Sequence, residues 1–199
     1  MDRLITFERI PIEPPLKAIY RRLGYRKGIT HIRPDEARAL GDRIEQARAL
    51  ICLKGAARRL PILSKTPRLI RLPGNHTLQS ARLAELLADS REVLLLGATA
   101  GPEVIEAIRR DTAEDNLTRA VVFDAAASEM VDAALDWMVT LFGRELRREG
   151  RRLTKSRFSC GYGDLALENQ RIFYDLLELG RFGVELTERC ILVPEKSVT

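Results

Sequence analysis

Eight consecutive residues near the C-terminus, Arg157-Phe158-Ser159-Cys160-Gly161-Tyr162-Gly163-Asp164, combine groups suited to holding a small molecule. The guanidinium of Arg157 presents a planar fork of donors matched to a carboxylate. Gly161 permits close approach to the backbone. Tyr162 adds a flat apolar ring with a hydroxyl, and Ser159 and nearby amides can satisfy further polar atoms. The set suits a zwitterionic ligand bearing a carboxylate and an aromatic base; it also suits a plain structural turn. Cys160 has two readings as well, a thiol activated by neighbouring positive charge or a small apolar filler.

Other chemistry is scarce. No nucleophile or general-base constellation stands out, so no catalytic residue is assigned. The three cysteines, Cys52, Cys160 and Cys190, form no C-x-x-C pair, and His31 and His76 share no ligand spacing. A disulfide framework and a structural zinc site are therefore not expected, nor is any tightly bound metal. The turn Leu96-Gly97-Ala98-Thr99-Ala100-Gly101-Pro102 lacks the glycine spacing of a dinucleotide fingerprint and has no Walker lysine.

The charge is unevenly spread. The net formal charge is +5, and between Arg144 and Arg157 seven basic residues face only Glu145 and Glu149. Such a stripe attracts nucleic acid, an acidic protein or an anionic ligand. It lacks interleaved aromatic residues before Phe158, so it is not a single-strand stacking platform. Apart from Arg157, its arginines read as a solvated helix end and loop, and no nucleic-acid partner is expected. No apolar run is long enough to span a bilayer, and the N-terminus lacks a signal-peptide pattern. The expectation is a cytoplasmic protein with no membrane partner.

The elements that must position these residues follow from periodicity. Leu16 to Leu23 reads as a short helix ended by Gly24. Pro34, beside Asp35 and Glu36, suits the first turn of a helix whose apolar face carries Leu40, Ile44, Ala47 and Ile51. Ser64 to Gly74 reads as loop or edge strand and Leu78 to Leu87 as helix. Val93–Leu96 and Ala120–Phe123 read as buried strands. Pro102 opens one helix, and Ser128 caps a long one with the stripe Met130, Ala134, Trp137 and Leu141. Leu167 to Leu179 reads as helix, then Val184–Leu186 and Cys190–Val193 as closing strands. The expected fold is α+β, a single domain with a central, mostly antiparallel sheet flanked by helices. Residues 1–30 form an N-terminal extension packed on a domain of residues 31–199.

The segment from Arg157 to Asp164 resembles the R-x-x-x-G-Y signature of the activation (reactivation) domain of cobalamin-dependent methionine synthase. Standalone proteins similar to that domain carry R-F-S-P-G-Y-G-D, from which this chain departs at Cys160 in place of proline. Gly183-Val184-Glu185-Leu186-Thr187-Glu188, followed by Val193-Pro194-Glu195-Lys196-Ser197-Val198, is similar to the family's second signature. The resemblance implies binding of S-adenosylmethionine through Arg157, Phe158, Ser159, Cys160, Gly161 and Tyr162, with Asp132 as the acidic contact from the preceding helix. It implies that Gly161, Tyr162 and Gly163 face a corrinoid.

Its further implications concern partners. The cofactors would be S-adenosylmethionine and a cobalamin held by a partner. That partner would be a corrinoid methyltransferase or a methionine synthase lacking its own activation domain. A flavodoxin-like or ferredoxin-like electron donor would complete reductive methylation of cob(II)alamin. Two departures matter: Arg151 stands where the family has a ligand-contacting acid, and no match is evident for an N-terminal acidic contact. They leave open a non-catalytic module that binds a corrinoid protein or senses S-adenosylmethionine. A basic nucleic-acid-binding protein ranks behind both.

Overall fold

The computed structural model describes residues 3–26 and 28–199. Met1, Asp2 and Lys27, which fall in the expected N-terminal extension, lie outside the described residues. Strand β1 (Leu4–Phe7) is followed by helices α1 (Leu16–Arg22) and α2 (Pro34–Leu50) and strand β2 (Lys54–Pro61). Three short strands, β3 (Ser64–Lys65), β4 (Leu69–Arg71) and β5 (Thr77–Gln79), form a small sheet ahead of helix α3 (Ala81–Leu86). Strand β6 (Glu92–Thr99) leads to helices α4 (Glu103–Ala113) and α5 (Leu117–Arg148). The C-terminal part holds α6 (Gln170–Leu176) between two 3-10 turns, then strands β7 (Glu185–Leu186), β8 (Leu192–Val193) and β9 (Ser197–Val198).

The main sheet runs β1-β2-β6-β9, with every neighbouring pair antiparallel. Side chains alternate across its faces, as a two-residue repeat requires. Ile5, Phe7, Ala57, Leu94, Leu96 and Ala98 enter one core with α1, α2, α4 and α5. Leu4, Ala56, Leu60, Val93 and Leu95 enter a second core with α3, α6 and the small sheet. One sheet thus separates two apolar layers, and the segment from Phe158 to Leu165 packs on the second.

Helix α5 corrects the sequence reading. Ala120–Phe123 is not a strand and Ser128 is not a cap; one helix runs from Leu117 through Arg148. A four-residue apolar run cannot by itself separate buried strand from helix. Here burial follows a helical repeat: Val121 is 57% exposed, whereas Ala120, Phe123, Ala127, Met130 and Ala134 are buried. Alanine-rich sequence beyond Phe123 favours continuing the helix. Ser128 is buried mid-helix, where its hydroxyl accepts a hydrogen bond from Lys196 Nζ at 2.9 Å.

Smaller differences have local causes. Leu78 belongs to β5, and Ser80 caps α3 by accepting from the Leu83 N–H at 2.9 Å. The expected helix over Leu167–Leu179 is a 3-10 turn and a short helix ending at Leu176, with Glu178 left-handed at φ 49°. β7 and β8 pair only with each other, and β9 joins the main sheet against Ala98 and Thr99. Within the first thirty residues, β1 pairs with β2 over four positions, and Phe7 packs edge-on against Trp137 of α5 at 5.3 Å.

Phe123 is completely buried between the sheet and the surrounding helices. Phe123→Ala should cost roughly 3–5 kcal/mol through lost transfer energy and the cavity left behind. Urea denaturation monitored by far-UV circular dichroism measures it.

Candidate functional site

Two interlocked turns shape the signature loop. Tyr162 N–H donates to Ser159 O at 3.2 Å, and Leu165 N–H donates to Tyr162 O at 3.1 Å. Gly161 N–H closes the pair by donating to Leu165 O at 2.9 Å. Gly161 and Gly163 have φ of +82° and +60°, a region that L side chains seldom adopt. These glycines are therefore required by the turns themselves, whatever ligand is bound.

Asp164 fastens the loop to α3. Its carboxylate accepts from Ser80 Oγ, from the Ala81 N–H at 2.7 Å and from the Arg82 N–H at 3.3 Å. These bonds, led by that from Ser80, hold its carboxyl below the usual carboxylate range. Leu165 is buried in the second core on the loop's inner side. Tyr162, between the anchored ends, is left 72% exposed.

A cavity of about 840 Å³ opens between this loop, α5 and the C-terminal strands. Its walls include Asp132 and Leu135 of α5 and Arg157, Phe158, Ser159, Cys160, Tyr162 and Gly163 of the signature segment. Its size is within the usual range of small-molecule pockets. Of the residues to which the resemblance gives a ligand or corrinoid contact, Gly161 alone does not line it. Its contribution is the positive-φ turn that presents Tyr162.

The charged walls are unequally satisfied. Arg157 Nη1 donates to Asp136 Oδ1 at 2.6 Å, and Glu195 pairs with Arg109 at 2.6 Å. Asp132 and Arg82 make no ion pair or side-chain hydrogen bond among the described residues. Asp132 keeps one side open to solvent, but crowding by the cavity wall raises its carboxyl pKa, and Glu129 adds to the effect. Arg157 opposes that rise. Cys160 is buried, and burial pushes its thiol up to about 12, so it serves as an apolar filler and not as an activated thiolate.

Arg151 is absent from the cavity. It pairs with Glu92, which also binds Arg59 at 2.7 Å; Arg59 in turn grips Glu149 through two bonds of 3.0 and 2.8 Å. The network ties the end of α5 to β2 and β6. Part of the basic stripe is thereby neutralised within the molecule.

A scan against protein-family models and a search of curated proteins each give no match. Solved structures do match. The crystal structure titled as the MetH reactivation domain bound to AdoHcy superposes with a TM-score of 0.71. The superposition covers 98% of this chain and 76% of that one, at 14% sequence identity. The chain has the fold of the MetH reactivation domain. Identity this low speaks to the fold alone.

Within that fold, several cavity residues had escaped the sequence reading. Arg82 arrives from α3, and Gln170 and Thr199 from the C-terminal part. The amide of Gln170 exchanges hydrogen bonds with the Thr199 hydroxyl at 2.9 and 3.1 Å. No local motif marks these positions. Asp136 carried one available signal: it stands four residues from Asp132, on the same helical face.

Asp132 gives a pH-dependent test of the charge assignment. A carboxyl whose folded pKa is raised favours the folded state most at low pH, and that benefit is lost as pH rises through the folded pKa. Above it, the charged carboxylate is a burden on the fold. Asp132→Asn should therefore raise the thermal unfolding midpoint at pH 7 by a small margin, with the difference shrinking at low pH. Calorimetric melts at the two pH values check the sign.

Proposed function

We propose that the cavity binds S-adenosylmethionine and that this chain docks on a corrinoid-binding methyltransferase to support reductive methylation of its cob(II)alamin. The observation that carries the reading is the meeting of Arg157, Asp132 and Tyr162 around one cavity in a molecule with the reactivation-domain fold. The neighbour's AdoHcy shares the adenosyl and amino acid parts of the proposed ligand, which supports the choice.

The residues present fit such a ligand. Arg157 would take the carboxylate through charge-assisted hydrogen bonds. Asp132, without an ion-pair partner of its own, would take the ammonium. Phe158 and Tyr162 offer aromatic surface for the purine. Docking over exposed Tyr162 would exclude water and hold the methyl sulfonium against the partner's corrinoid, catalysis being by proximity. The partner's reduced cobalt would supply the chemistry of methyl acceptance. An electron donor of flavodoxin or ferredoxin type would complete the system, and the compartment proposed is the cytoplasm. No helix among the described residues is long and apolar enough to cross a membrane.

Arg157→Ala should weaken S-adenosylmethionine binding by about 1.5–3 kcal/mol, the value of a charged hydrogen-bonded contact. Arg157→Lys should restore only part, because an ammonium lacks the planar fork. Isothermal calorimetry reads both; equal affinities of wild type and Arg157→Ala would remove Arg157 from the site.

Mixing with an oxidised corrinoid methyltransferase from the same cell should shift the visible absorption of cob(II)alamin. Adding a low-potential electron donor and S-adenosylmethionine should then give methylcobalamin. Tyr162→Ala should impair both steps more than Arg151→Ala, whose side chain points into the Arg59 network. Binding of S-adenosylmethionine with no spectral change for any such partner would favour a sensing module instead.

A further inference from the structure

A carboxylate that approaches Arg157 meets a competitor already in place. Asp136 already holds Arg157 Nη1 at 2.6 Å. Asp136 lies one helical turn beyond Asp132 on α5, so the two carboxylates project from the same side of the helix. Their surroundings differ. Asp132 lines the cavity, whereas Asp136 reaches Arg157 from outside the lining, with its side chain 73% exposed against 39% for Arg157. Its carboxylate has no other ion pair or hydrogen bond among the described residues.

A ligand carboxylate that uses Nη1 must displace Asp136. One that approaches the opposite edge of the guanidinium leaves two carboxylates sharing one cation. In both cases Asp136 opposes the anionic end of the ligand. Its effect on the cationic end has the reverse sign. Once it loses Arg157, Asp136 is an uncompensated negative charge beside Asp132. Among the neighbouring charges, Glu129 is paired with Arg22 and Glu195 with Arg109, while Arg82 lines the cavity from α3.

We propose that Asp136 sets the site's choice between net-positive and neutral adenosyl ligands, by competing for Arg157 and favouring positive charge once displaced. The inference rests on the reading of the cavity as an adenosyl amino acid site. S-Adenosylmethionine carries a carboxylate, an ammonium and a sulfonium, for a net charge of +1. Loss of the methyl group to an acceptor leaves a neutral thioether, the sulfonium's bonding pair staying on sulfur. The resulting S-adenosylhomocysteine has no net charge. It faces the same competition for Arg157 without the compensating attraction, so Asp136 promotes exchange of product for substrate.

Calorimetric titration of the full chain with each ligand separates the possibilities. Wild type, Asp136→Asn, Asp136→Glu and Arg157→Ala should be compared at low salt. Asp136→Asn should bind both ligands roughly two- to fivefold tighter, the scale of an exposed ion pair. Its gain should be larger for S-adenosylhomocysteine, so the preference for S-adenosylmethionine shrinks. Asp136→Glu, which keeps the charge, should keep the wild-type preference. Tighter binding absent in Asp136→Asn, or an unchanged preference, overturns the proposal. In that case a continued loss of affinity in Arg157→Ala leaves the site reading intact. If wild type binds neither ligand, both fall.

Discussion

The burial of helix α5 is the constraint on which the rest of the molecule depends. Fourteen of its 32 residues are buried, and many are alanines, which let neighbouring backbones come close. It packs against α1, α2, α4 and the main sheet. A helix gripped on so much of its circumference has little freedom to rotate. Asp132 and Asp136 project from its open side, so their placement beside the signature loop follows from the core. A substitution far from the cavity that turned this helix would move both carboxylates together.

The opposite wall depends on polar fastenings, because short strands and turns bury little. Asp164 holds the loop to the first residues of α3. Farther on, Lys196 binds Asp124 Oδ1 at 2.7 Å and Ser128 Oγ at 2.9 Å, fixing the segment before β9 to α5. The Ser197 hydroxyl donates to Thr99 Oγ1 at 2.9 Å, adding a link to the end of β6. These ties span 68 to 98 positions in sequence. They bring the two signature segments to the same cavity although β7 and β8 never join the main sheet.

What was legible in the sequence depended on whether its cause was local. The α2 helix, with Pro34 opening it and Leu40, Ile44 and Ala47 buried, reads directly from its spacing. Strand β2 did not: Gly55-Ala56-Ala57 has little strand propensity, and pairing with β1 and β6 supplies its stability. Ala120–Phe123 misled because a short apolar run has no period of its own. At the cavity, the loop residues were legible as a cluster of types within one segment. Arg82 and Gln170 were not, since only tertiary folding brings them there. The assignment of Arg151 as solvated missed Glu92, 59 positions away.

The cavity's neighbouring carboxylates differ in pairing, and this bears on what the site can do. A site built only for stability would pair Asp132 as it pairs Glu92 and Glu149, with arginines on both sides. Instead Asp132 has no ion-pair partner among the described residues, while Arg157 is occupied by a carboxylate that is itself mostly in solvent. Exposed ion pairs are weak and easily exchanged, and Asp132, also exposed but without an ion-pair partner among the described residues, is free to take a cation. A zwitterion that replaces Asp136 at Arg157 and supplies an ammonium to Asp132 would exchange one contact for two. The asymmetry between two aspartates one helical turn apart is therefore the feature of this chain that most directly favours a zwitterionic end group over an uncharged one.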